Sequence, residues 1–314
     1  MKRFSLLLSI FITGSAWAQA YPSKPVRLVV GFVAGGPTDA LARIVAQRLG
    51  GALGQQVLVE NRGGADGVIG ADSVAKSPPD GHTLFFATSG HAINASLYKS
   101  VPYRTADDFE AITRIGDSPN ILAVTPSLPV KDLRELIALA KSKPGELNYG
   151  ATSSPTHLAT ELLASNAGIT LTRIPYKGAA PAMQALMAGD VQIVLSGIGT
   201  MLPQAKAGRI KAIAVTGAQR SPLAPEIPTV VESGLKYVAT TWYGLLAPAG
   251  TPRPIIDRLN RDTRAVLDDP AMKAQLAPQG IELAPSTPEE FGAFLRAEVA
   301  TWAKVVQATG ARAE

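Results

Sequence analysis

Short runs of β-branched and aliphatic residues alternate along the chain with segments whose apolar residues recur every three or four positions. This pattern predicts buried strands separated by amphipathic helices. The predicted strands cover residues 26–30, 56–60, 83–87, part of 109–124, 147–150, 171–175, 191–195, 210–215 and 239–246. Strands and helices in this order are typical of parallel sheets that helices cover on both faces. The pattern therefore predicts the α/β class.

Two extended segments interrupt the alternation. Residues 109–124 run on without a helix before the next strand pattern, and residues 238–246 do the same. A chain that leaves one lobe and returns to it needs two crossovers, and these segments are the candidates. We therefore expect a discontinuous first lobe of residues 21–115 plus 240–314, and a second lobe of residues 116–239.

Glycines and late helical patterns add detail to this division. Glycine follows the last periodic residue of a helical pattern at Gly50, Gly168 and Gly189, which predicts helix ends there. Segments 254–268 and 288–308 carry helical patterns, and we expect both helices to pack back on the first lobe.

Two strand-to-helix turns have the same form. A strand at 26–30 leads through small residues to Pro37, and a strand at 147–150 leads through hydroxyl residues to Pro155. Proline is favoured at the start of a helix because its missing N–H has no intrahelical partner there. The free amides that follow and the positive end of the helix dipole favour anions. If both turns face one cleft, the chain can hold a small molecule with a negative group at each end.

The first 20 residues have the features of a secretory signal peptide. Lys2 and Arg3 precede an apolar run at 4–13, and small residues around Ala18 and Ala20 offer cleavage sites. We expect cleavage after Ala20 and a periplasmic location. The alternative is a membrane anchor, which is disfavoured because the apolar run is too short to span about 30 Å of hydrocarbon.

Composition excludes several classes of function. Lys2 and Arg3 belong to the 30 basic residues, so residues 21–314 keep a net charge near +3, without the basic runs typical of nucleic-acid binding. The chain has no cysteine and therefore no disulfide. We expect no cofactor, no metal, no nucleic acid and a monomer.

Catalytic motifs are nearly absent. His82, His91 and His157 lack metal-ligand spacing, and His82 and His91 are expected to have structural roles. Neither a phosphate-binding loop nor a nucleophile elbow occurs. The glycines of residues 63–70 follow a strand, but their spacing does not match a dinucleotide-binding fingerprint, and we interpret them as a tight turn with close helix packing.

The segment Phe32-Val33-Ala34-Gly35-Gly36-Pro37-Thr38-Asp39 resembles the signature loop of the Bug-type solute receptors of tripartite tricarboxylate transporters. Further segments that agree in the same order are Val59-Glu60-Asn61-Arg62, Pro79-Asp80-Gly81-His82, Tyr149-Gly150, Pro175-Tyr176-Lys177-Gly178, Ala188-Gly189-Asp190-Val191, Ala207-Gly208-Arg209 and Trp242-Tyr243-Gly244 through Pro252. The likeness covers essentially all of the chain after residue 20.

The resemblance implies a two-lobed periplasmic binding protein of type II-like architecture, with two crossover strands and a ligand cleft between the lobes. Family members bind small carboxylates such as dicarboxylates, aromatic acids and acidic amino acids, and they deliver them to an inner-membrane permease. In this family one carboxylate meets the loop that matches residues 32–39, and the other end of the ligand meets the loop that matches residues 152–157.

Carried over residue by residue, the likeness assigns the first carboxylate to Gly36, Thr38 and Asp39, although Asp39 also suits the start of the helix as a structural residue. It assigns the distal group of the ligand to Ser153, Ser154 and Thr156. Ser154 is expected to be the N-cap of the second helix. The complete set of expected ligand-binding residues is Phe32, Ala34, Gly35, Gly36, Thr38, Asp39, Thr88, Ser89, Thr152, Ser153, Ser154, Thr156, His157, Tyr176, Ser196 and Gly197.

The chain departs from the family pattern in places that affect the ligand. Its second loop is shorter by about two residues, Gln192 stands where aspartate is common, and Gly31 replaces a frequent proline. Neither turn contains arginine, so recognition would depend on backbone dipoles, hydroxyls and water.

We conclude from the sequence that the chain is a periplasmic receptor for a small organic carboxylate rather than an enzyme. One alternative is a receptor that signals to a membrane sensor instead of feeding a permease. A second alternative is an exported hydrolase that uses Ser153 or Ser154 with His157, which the close sequence spacing of these residues disfavours.

Overall fold

The structure is a computed structural model that describes residues 21–313, so the predicted signal peptide at 1–20 lies outside the described residues. The strands are β1 (Val26–Val30), β2 (Val57–Asn61), β3 (Thr83–Thr88), β4 (Phe109–Val124), β5 (Asn148–Ala151), β6 (Thr172–Pro175), β7 (Ile193–Gly197), β8 (Lys211–Val215), β9 (Thr240–Pro248) and β10 (Glu282–Leu283). The helices are α1 (Pro37–Leu53), α2 (Val68–Ala75), α3 (Ser89–Leu97), α4 (Leu133–Ser142), α5 (Ser154–Ala167), α6 (Ala179–Ala188), α7 (Ile198–Lys206), α8 (Arg253–Asp268), α9 (Pro270–Leu276) and α10 (Pro288–Thr309).

The strands form two parallel groups joined by antiparallel crossover strands. Their order is β2-β1-β3-β9-β4-β7-β5-β6, with β8 and β10 also paired to β4. β1 is parallel to β2 and β3, and β5 is parallel to β6 and β7. β9 is antiparallel to β3 and β4, and β4 is antiparallel to β7. This arrangement confirms the two-lobed α/β class, and we name the group with β1–β3 lobe 1 and the group with β5–β8 lobe 2.

The strand β4 belongs to both lobes. It pairs with β9 from Phe109 to Pro119, and then with β7 and β8 between Asn120 and Val124. The sequence predicted a strand over part of this segment, whereas all 16 residues are extended. β9 supplies the second crossing segment. The exact lobe limits at 115/116 and 239/240 remain a prediction.

Alternate side chains along the strands separate the core into layers. In lobe 1, Leu28 and Val30 pack with α1 and α8, whereas Val29 faces the opposite layer with α3 and α10. In lobe 2, the side chain of Leu122 packs on the side of the sheet that α4 covers, and that of Ile121 packs on the side that α6 and α7 cover. Helices therefore cover both faces of each half-sheet, as the apolar strand runs predicted.

The predicted helix ends are partly confirmed. Gly168 and Gly189 are left-handed C-caps, as expected. The end predicted at Gly50 is wrong, because α1 continues to a left-handed C-cap at Gly54, with a φ of 73°. Gly50 is instead a point of close approach, where an added Cβ would lie 3.2 Å from the carbonyl oxygen of Gln55.

The two C-terminal helices pack on lobe 1, as predicted. Ile256 and Leu259 of α8 lie in the same apolar cluster as β1, and Phe291 and Trp302 of α10 lie in the cluster with β3. No helix within residues 21–313 is long and apolar enough to cross a membrane.

The packing of α10 against β9 gives a sharp test of this fold. An added Cβ at Gly244 would lie 2.2 Å from Cζ of the fully buried Phe291. We expect Gly244→Ala to lower the free energy of unfolding by about 1–3 kcal/mol, because the ring and strand have no room to separate. Urea denaturation of residues 21–314 measures this change.

The matched control is Gly51→Ala in α1, where an added Cβ meets nothing within 4 Å. Alanine is the better helix former, so this change should raise the free energy of unfolding by up to about 1 kcal/mol. Equal effects of the two substitutions would contradict the packing described for β9 and α10.

Candidate functional site

The topology brings several strand-to-helix turns to the boundary between the lobes. β1 and β3 are neighbouring parallel strands, so the turn before α1 lies beside the turn before α3. β5 and β7 are likewise parallel neighbours, so the turns before α5 and α7 lie together. Ligand sites of open α/β sheets lie outside the carboxyl ends of the strands, which is where the predicted site residues fall.

The turn before α1 is fixed by the carboxylate of Asp39. This side chain, 3% exposed, accepts hydrogen bonds from the Gly35 amide at 2.9 Å, Arg43 Nε at 3.0 Å and Asn61 Nδ2 at 2.9 Å. Burial alone raises the pKa of Asp39, but the hydrogen bonds from Arg43, Gly35 and Asn61 and the charge of Arg43 outweigh it, so the pKa is lowered. A carboxylate can accept about four hydrogen bonds, so these three leave one acceptor position of Asp39 free for a further donor.

The backbone of this turn needs glycine at one position. Gly35 has a φ of 82°, in the left-handed region that glycine enters at little cost. Gly36 is the extended N-cap of α1, and an added Cβ there would meet only the Val33 carbonyl oxygen, at 3.7 Å. Pro37 begins the helix, as predicted.

The other predicted residues of lobe 1 surround this turn. Phe32 is half-buried against the core of lobe 1, and Ala34 is exposed. Burial raises the pKa of Tyr243 in β9 to about 12, and the neighbouring Thr38 side chain partly offsets this rise. These contacts tie the turn to the sheet.

The turn after β3 places two hydroxyl residues at the start of α3. Thr88 is the N-cap, and its Oγ1 accepts a hydrogen bond from the Gly90 amide at 3.3 Å. Ser89 is fully buried, and its hydroxyl has no hydrogen-bond partner within residues 21–313. A buried hydroxyl without a partner costs free energy. Because Ser89 has no exposed surface in this structure, its role as a ligand contact stays a prediction.

The turns that lead to Pro37 and Pro155 are called the first and second proline turns, and in the second the hydroxyl groups hydrogen-bond within the turn. The N-cap of α5 is Ser153, so the prediction that Ser154 is the cap is wrong by one residue: the chain becomes helical at Ser154, with Pro155 following it. The Thr156 Oγ1 accepts a hydrogen bond from the Ser153 amide at 3.2 Å, and it also pairs with the hydroxyl of Thr152 at 2.9 Å.

A residue that sequence reasoning missed meets the start of α5. The Ser154 amide donates to Oδ2 of Asp66 at 2.7 Å, and the Ser154 hydroxyl donates to the same oxygen. The predicted tight turn at residues 63–70 is confirmed, with an added Cβ at Gly31 only 2.6 Å from Cα of Gly67. An acidic side chain between small residues after a strand was the signal that could have drawn attention to Asp66.

His157 is part of a buried chain of hydrogen bonds in lobe 2. Its Nδ1 lies 2.7 Å from the hydroxyl of Tyr149, which donates its one hydrogen to Glu161. Nδ1–H must then donate to Tyr149, which leaves Nε2 as an acceptor without a partner in the described part of the chain. Burial and the positive charge of Arg173 lower the pKa of His157 to about 4, so its imidazole is neutral at pH 7.

The remaining predicted residues of lobe 2 lie at the ends of β6 and β7. The Tyr176 amide donates to the carbonyl oxygen of Ala151 at 2.8 Å, which places Tyr176 beside the second turn. Ser196 is 5% exposed in β7, and Gly197 is the N-cap of α7.

His91 has the structural role predicted for it. It is 3% exposed, its Nε2 lies 3.0 Å from the carbonyl oxygen of Thr105, and its ring packs against Phe85, Tyr103 and Phe109. Burial lowers the pKa of His91 to about 4. Within residues 21–313, no cluster of histidine and acidic side chains could hold a metal ion.

A separate cavity of about 310 Å³ lies in lobe 1, between β4, α8 and α10. It is lined by charged residues that include Glu110, Arg253, Glu289 and Arg296. Arg253 and Glu289 form an ion pair with each other. None of the predicted site residues lines this cavity, so it is distinct from the turns described above.

Comparison with known proteins identifies the family. The model of the tripartite tricarboxylate transporter family receptor, TctC, matches residues 41–311. The chain belongs to this family. It is 37% identical to protein BugT of Bordetella pertussis over 99% of both chains. The resemblance inferred from the signature loop is thereby confirmed.

Several solved structures have the same fold. An R. palustris protein solved with adipate is 38% identical, with a TM-score of 0.86 over 92% of this chain and 98% of that one. MatC from Rhodopseudomonas palustris, solved with bound malate, is 31% identical, with a TM-score of 0.82 over 91% of this chain and 100% of its own. The periplasmic binding protein BugD is 34% identical, with a TM-score of 0.84 over 94% of this chain and 100% of its own.

The bracing role of Asp39 in this TctC receptor can be tested with Asp39→Asn. The amide keeps the shape of the side chain but loses its charge and part of its acceptor capacity. We expect the free energy of unfolding to fall by about 1–2 kcal/mol in urea denaturation, because the buried side chain at position 39 would lose charge-assisted hydrogen bonds from Gly35, Arg43 and Asn61.

The matched control is Asp257→Asn, which also removes a carboxylate paired with an arginine four residues away, but on an exposed helix face. Exposed pairs contribute little, so the urea midpoint should stay within error. If Asp39→Asn were equally harmless, the turn would not depend on this carboxylate.

The buried histidines predict how stability depends on pH. In the unfolded chain they bind protons near pH 6.5, whereas in the folded protein the pKa values of His91 and His157 are about 4. Between these values the unfolded state binds more protons, so the free energy of unfolding should fall as pH decreases from about 6.5 to 4. Urea midpoints at several pH values above 5, where most carboxylates stay ionised, measure the slope.

Each histidine contributes at most about 1.4 kcal/mol per pH unit to this slope. His91→Gln and His157→Gln should therefore each flatten it. A slope that neither substitution changes would show that these imidazoles are not the groups responsible.

Proposed function

We propose that this chain is a periplasmic receptor that binds a small organic carboxylate between its lobes and delivers it to the membrane components of a tripartite tricarboxylate transporter. The observation that carries the proposal is the contact between turns of the two lobes, in which Asp66 binds Ser154 and the start of α3 meets the start of α5. Family membership supports the receptor role, and two relatives solved with adipate and malate support the ligand class.

Helix N-termini supply the attraction for the anion. In lobe 1, the turn before α1 offers the backbone amides that follow Gly35, whose own amide donates to Asp39, and the turn before α3 offers the hydroxyl of Ser89. Backbone N–H groups and the helix dipole stabilise a carboxylate without an arginine. Asp39 holds the first of these turns in shape, and its charge is matched by Arg43 and not by the ligand.

Lobe 2 supplies the opposite wall of the site. Thr152 and Ser153 are half-buried at the start of α5, with Thr156 and His157 buried directly behind them. His157 Nε2 can accept a hydrogen bond from a hydroxyl or amine of the ligand. The hydroxyl, aromatic and glycine residues at the ends of β6 and β7 complete this side.

Binding is coupled to closure of the lobes about the crossover strands. β4 and β9 are the segments where the two half-sheets join, and a limited rotation there leaves each half-sheet intact. A ligand shifts the balance between open and closed forms only by its preference for the closed form. A ligand that contacts both lobes has that preference.

The arrangement of hydroxyls favours a receptor over a hydrolase. A serine nucleophile needs its hydroxyl at a general base. Here the Ser154 hydroxyl donates to Asp66, the Ser153 hydroxyl pairs with Thr156, and His157 pairs with Tyr149. Export through a signal peptide cleaved after Ala20 completes the proposal.

A binding screen of residues 21–314 tests the function. Mono- and dicarboxylates, aromatic acids and acidic amino acids are added in turn, and at least one class should raise the melting temperature, because ligand that binds only the native state adds stability. We expect titration calorimetry to show that Gly36→Val weakens binding of the best acid at least thirtyfold, since its side chain would project beside the amides of the turn.

The control variant is Gly51→Ala, which should bind as the wild type does. Gly36→Val should remain folded, with at most a small loss of stability from the poorer N-cap, because an added Cβ meets only the Val33 carbonyl oxygen, at 3.7 Å. A folded protein that no acid stabilises would overturn the proposal.

Deletion of the gene should abolish uptake of the acid if the chain serves a transporter. If the chain were a sensor, deletion would leave uptake intact and alter only the response of the cell to the acid.

A further inference from the structure

Asp66 lies between the two proline turns and belongs to neither. The turn that carries it packs on the first loop, since an added Cβ at Gly63 would lie 3.3 Å from the amide nitrogen of Val33. Its side chain reaches across the lobe boundary to α5, where Oδ2 accepts hydrogen bonds from the amide and the hydroxyl of Ser154. The hydrogen bond from the Ser154 amide, at 2.7 Å, has the short length of a charge-assisted hydrogen bond.

The conformation of the backbone around Asp66 keeps its side chain directed at Ser154. Asp66 has φ 50° and ψ 37°, and Ala65 before it has φ 46°, so both are left-handed. Aspartate enters this region more readily than most residues. The Asp66 carbonyl oxygen accepts a hydrogen bond from Asn94 Nδ2 of α3 at 3.0 Å, which fixes the turn against lobe 1.

The contact forms where α5 docks on lobe 1. Leu158, one turn along from Ser154, is fully buried in the apolar cluster that contains Ile93 and Leu97 of α3. An added Cβ at Gly90 would lie 3.6 Å from Pro155, so the starts of α3 and α5 are in close contact. The Asp66–Ser154 hydrogen bonds therefore join the lobes when they are together, and they break when the lobes separate.

We propose that Asp66 is a specificity-determining residue that fills the anion position at the start of α5 with the protein's own carboxylate, so that the receptor selects acids with a single carboxylate. This inference rests on the function proposed above and names its substrate class. A ligand with a second carboxylate would have to displace Asp66 from Ser154 and then lie beside it. Like charges repel strongly where water is excluded.

The same contact supports closure around a monocarboxylate. One end of such a ligand binds at the turn before α1, and its distal end is neutral or positive. Asp66 then supplies the negative group that satisfies the Ser154 amide and hydroxyl in the closed form.

Matched pairs of acids test the selectivity. The probes are butanoate and succinate, pentanoate and glutarate, and hexanoate and adipate, each pair equal in carbon number, titrated calorimetrically at fixed ionic strength. In the pair that binds best, we expect the wild type to bind the monocarboxylate at least tenfold more tightly. Asp66→Asn should raise affinity for the dicarboxylate at least tenfold and change that for the monocarboxylate less than threefold.

The control is Asp107→Asn, which removes one negative charge from an exposed position of lobe 1 and should leave the ratio unchanged. A wild type that prefers the dicarboxylate, or a ratio that Asp66→Asn does not alter, would overturn this inference and leave the receptor function standing. Failure of every acid in the wider screen described above would instead count against the proposed function.

A second measurement needs no ligand. The natural chain has no cysteine, so Gln47→Cys in α1 and Lys141→Cys in α4 give two unique exposed sites for spin labels on opposite lobes. Asp66→Gly, which keeps the left-handed backbone without strain, and Ser154→Ala should each increase the population of longer distances. Their combined effect should be smaller than the sum, because both remove the same contact. Distances that neither substitution changes would show that Asp66 does not hold the lobes.

Discussion

The hydrogen-bonded pairing of β4 is the interaction on which the remaining structure depends. The longer part of this 16-residue strand, from Phe109 to Pro119, pairs with β9, and the remaining part, from Asn120 to Val124, pairs with β7 and β8 in lobe 2. Because backbone hydrogen bonds fix register, the strand sets the relative position of both half-sheets and of the turns at their ends. A cleft between the lobes is a consequence of a sheet that changes partners along a single strand.

In the proposed site, backbone dipoles and hydroxyls rather than positive side chains would stabilise the carboxylate of the ligand. Helix N-termini and hydroxyls supply the donors in both proline turns, and Arg43, beside the first turn, is paired with Asp39. Dipoles and hydroxyls of this kind stabilise a carboxylate without holding it as tightly as a bidentate ion pair does. A receptor that must release its cargo to membrane components gains from such a site.

Two aspartates near the site have opposite structural roles. Asp39 accepts all of its hydrogen bonds from lobe 1 and stabilises one turn. Asp66 accepts its side-chain hydrogen bonds from Ser154 of lobe 2 and joins the lobes. In the proposed receptor, the first shapes the surface that binds the ligand, and the second selects the kind of group that lies opposite that surface.

The sequence by itself determined the class of fold, most element positions and the family. Apolar runs mark buried strands, and Pro37 and Gly168 mark helix boundaries, because these signals act within a few residues. Gly50 misled the prediction, since its small size serves packing against Gln55 and not chain termination. The partner of Ser154 depended on the tertiary structure alone. Asp66 lies 88 residues away in sequence, and only the folding of β4 across both lobes brings its carboxylate to the start of α5.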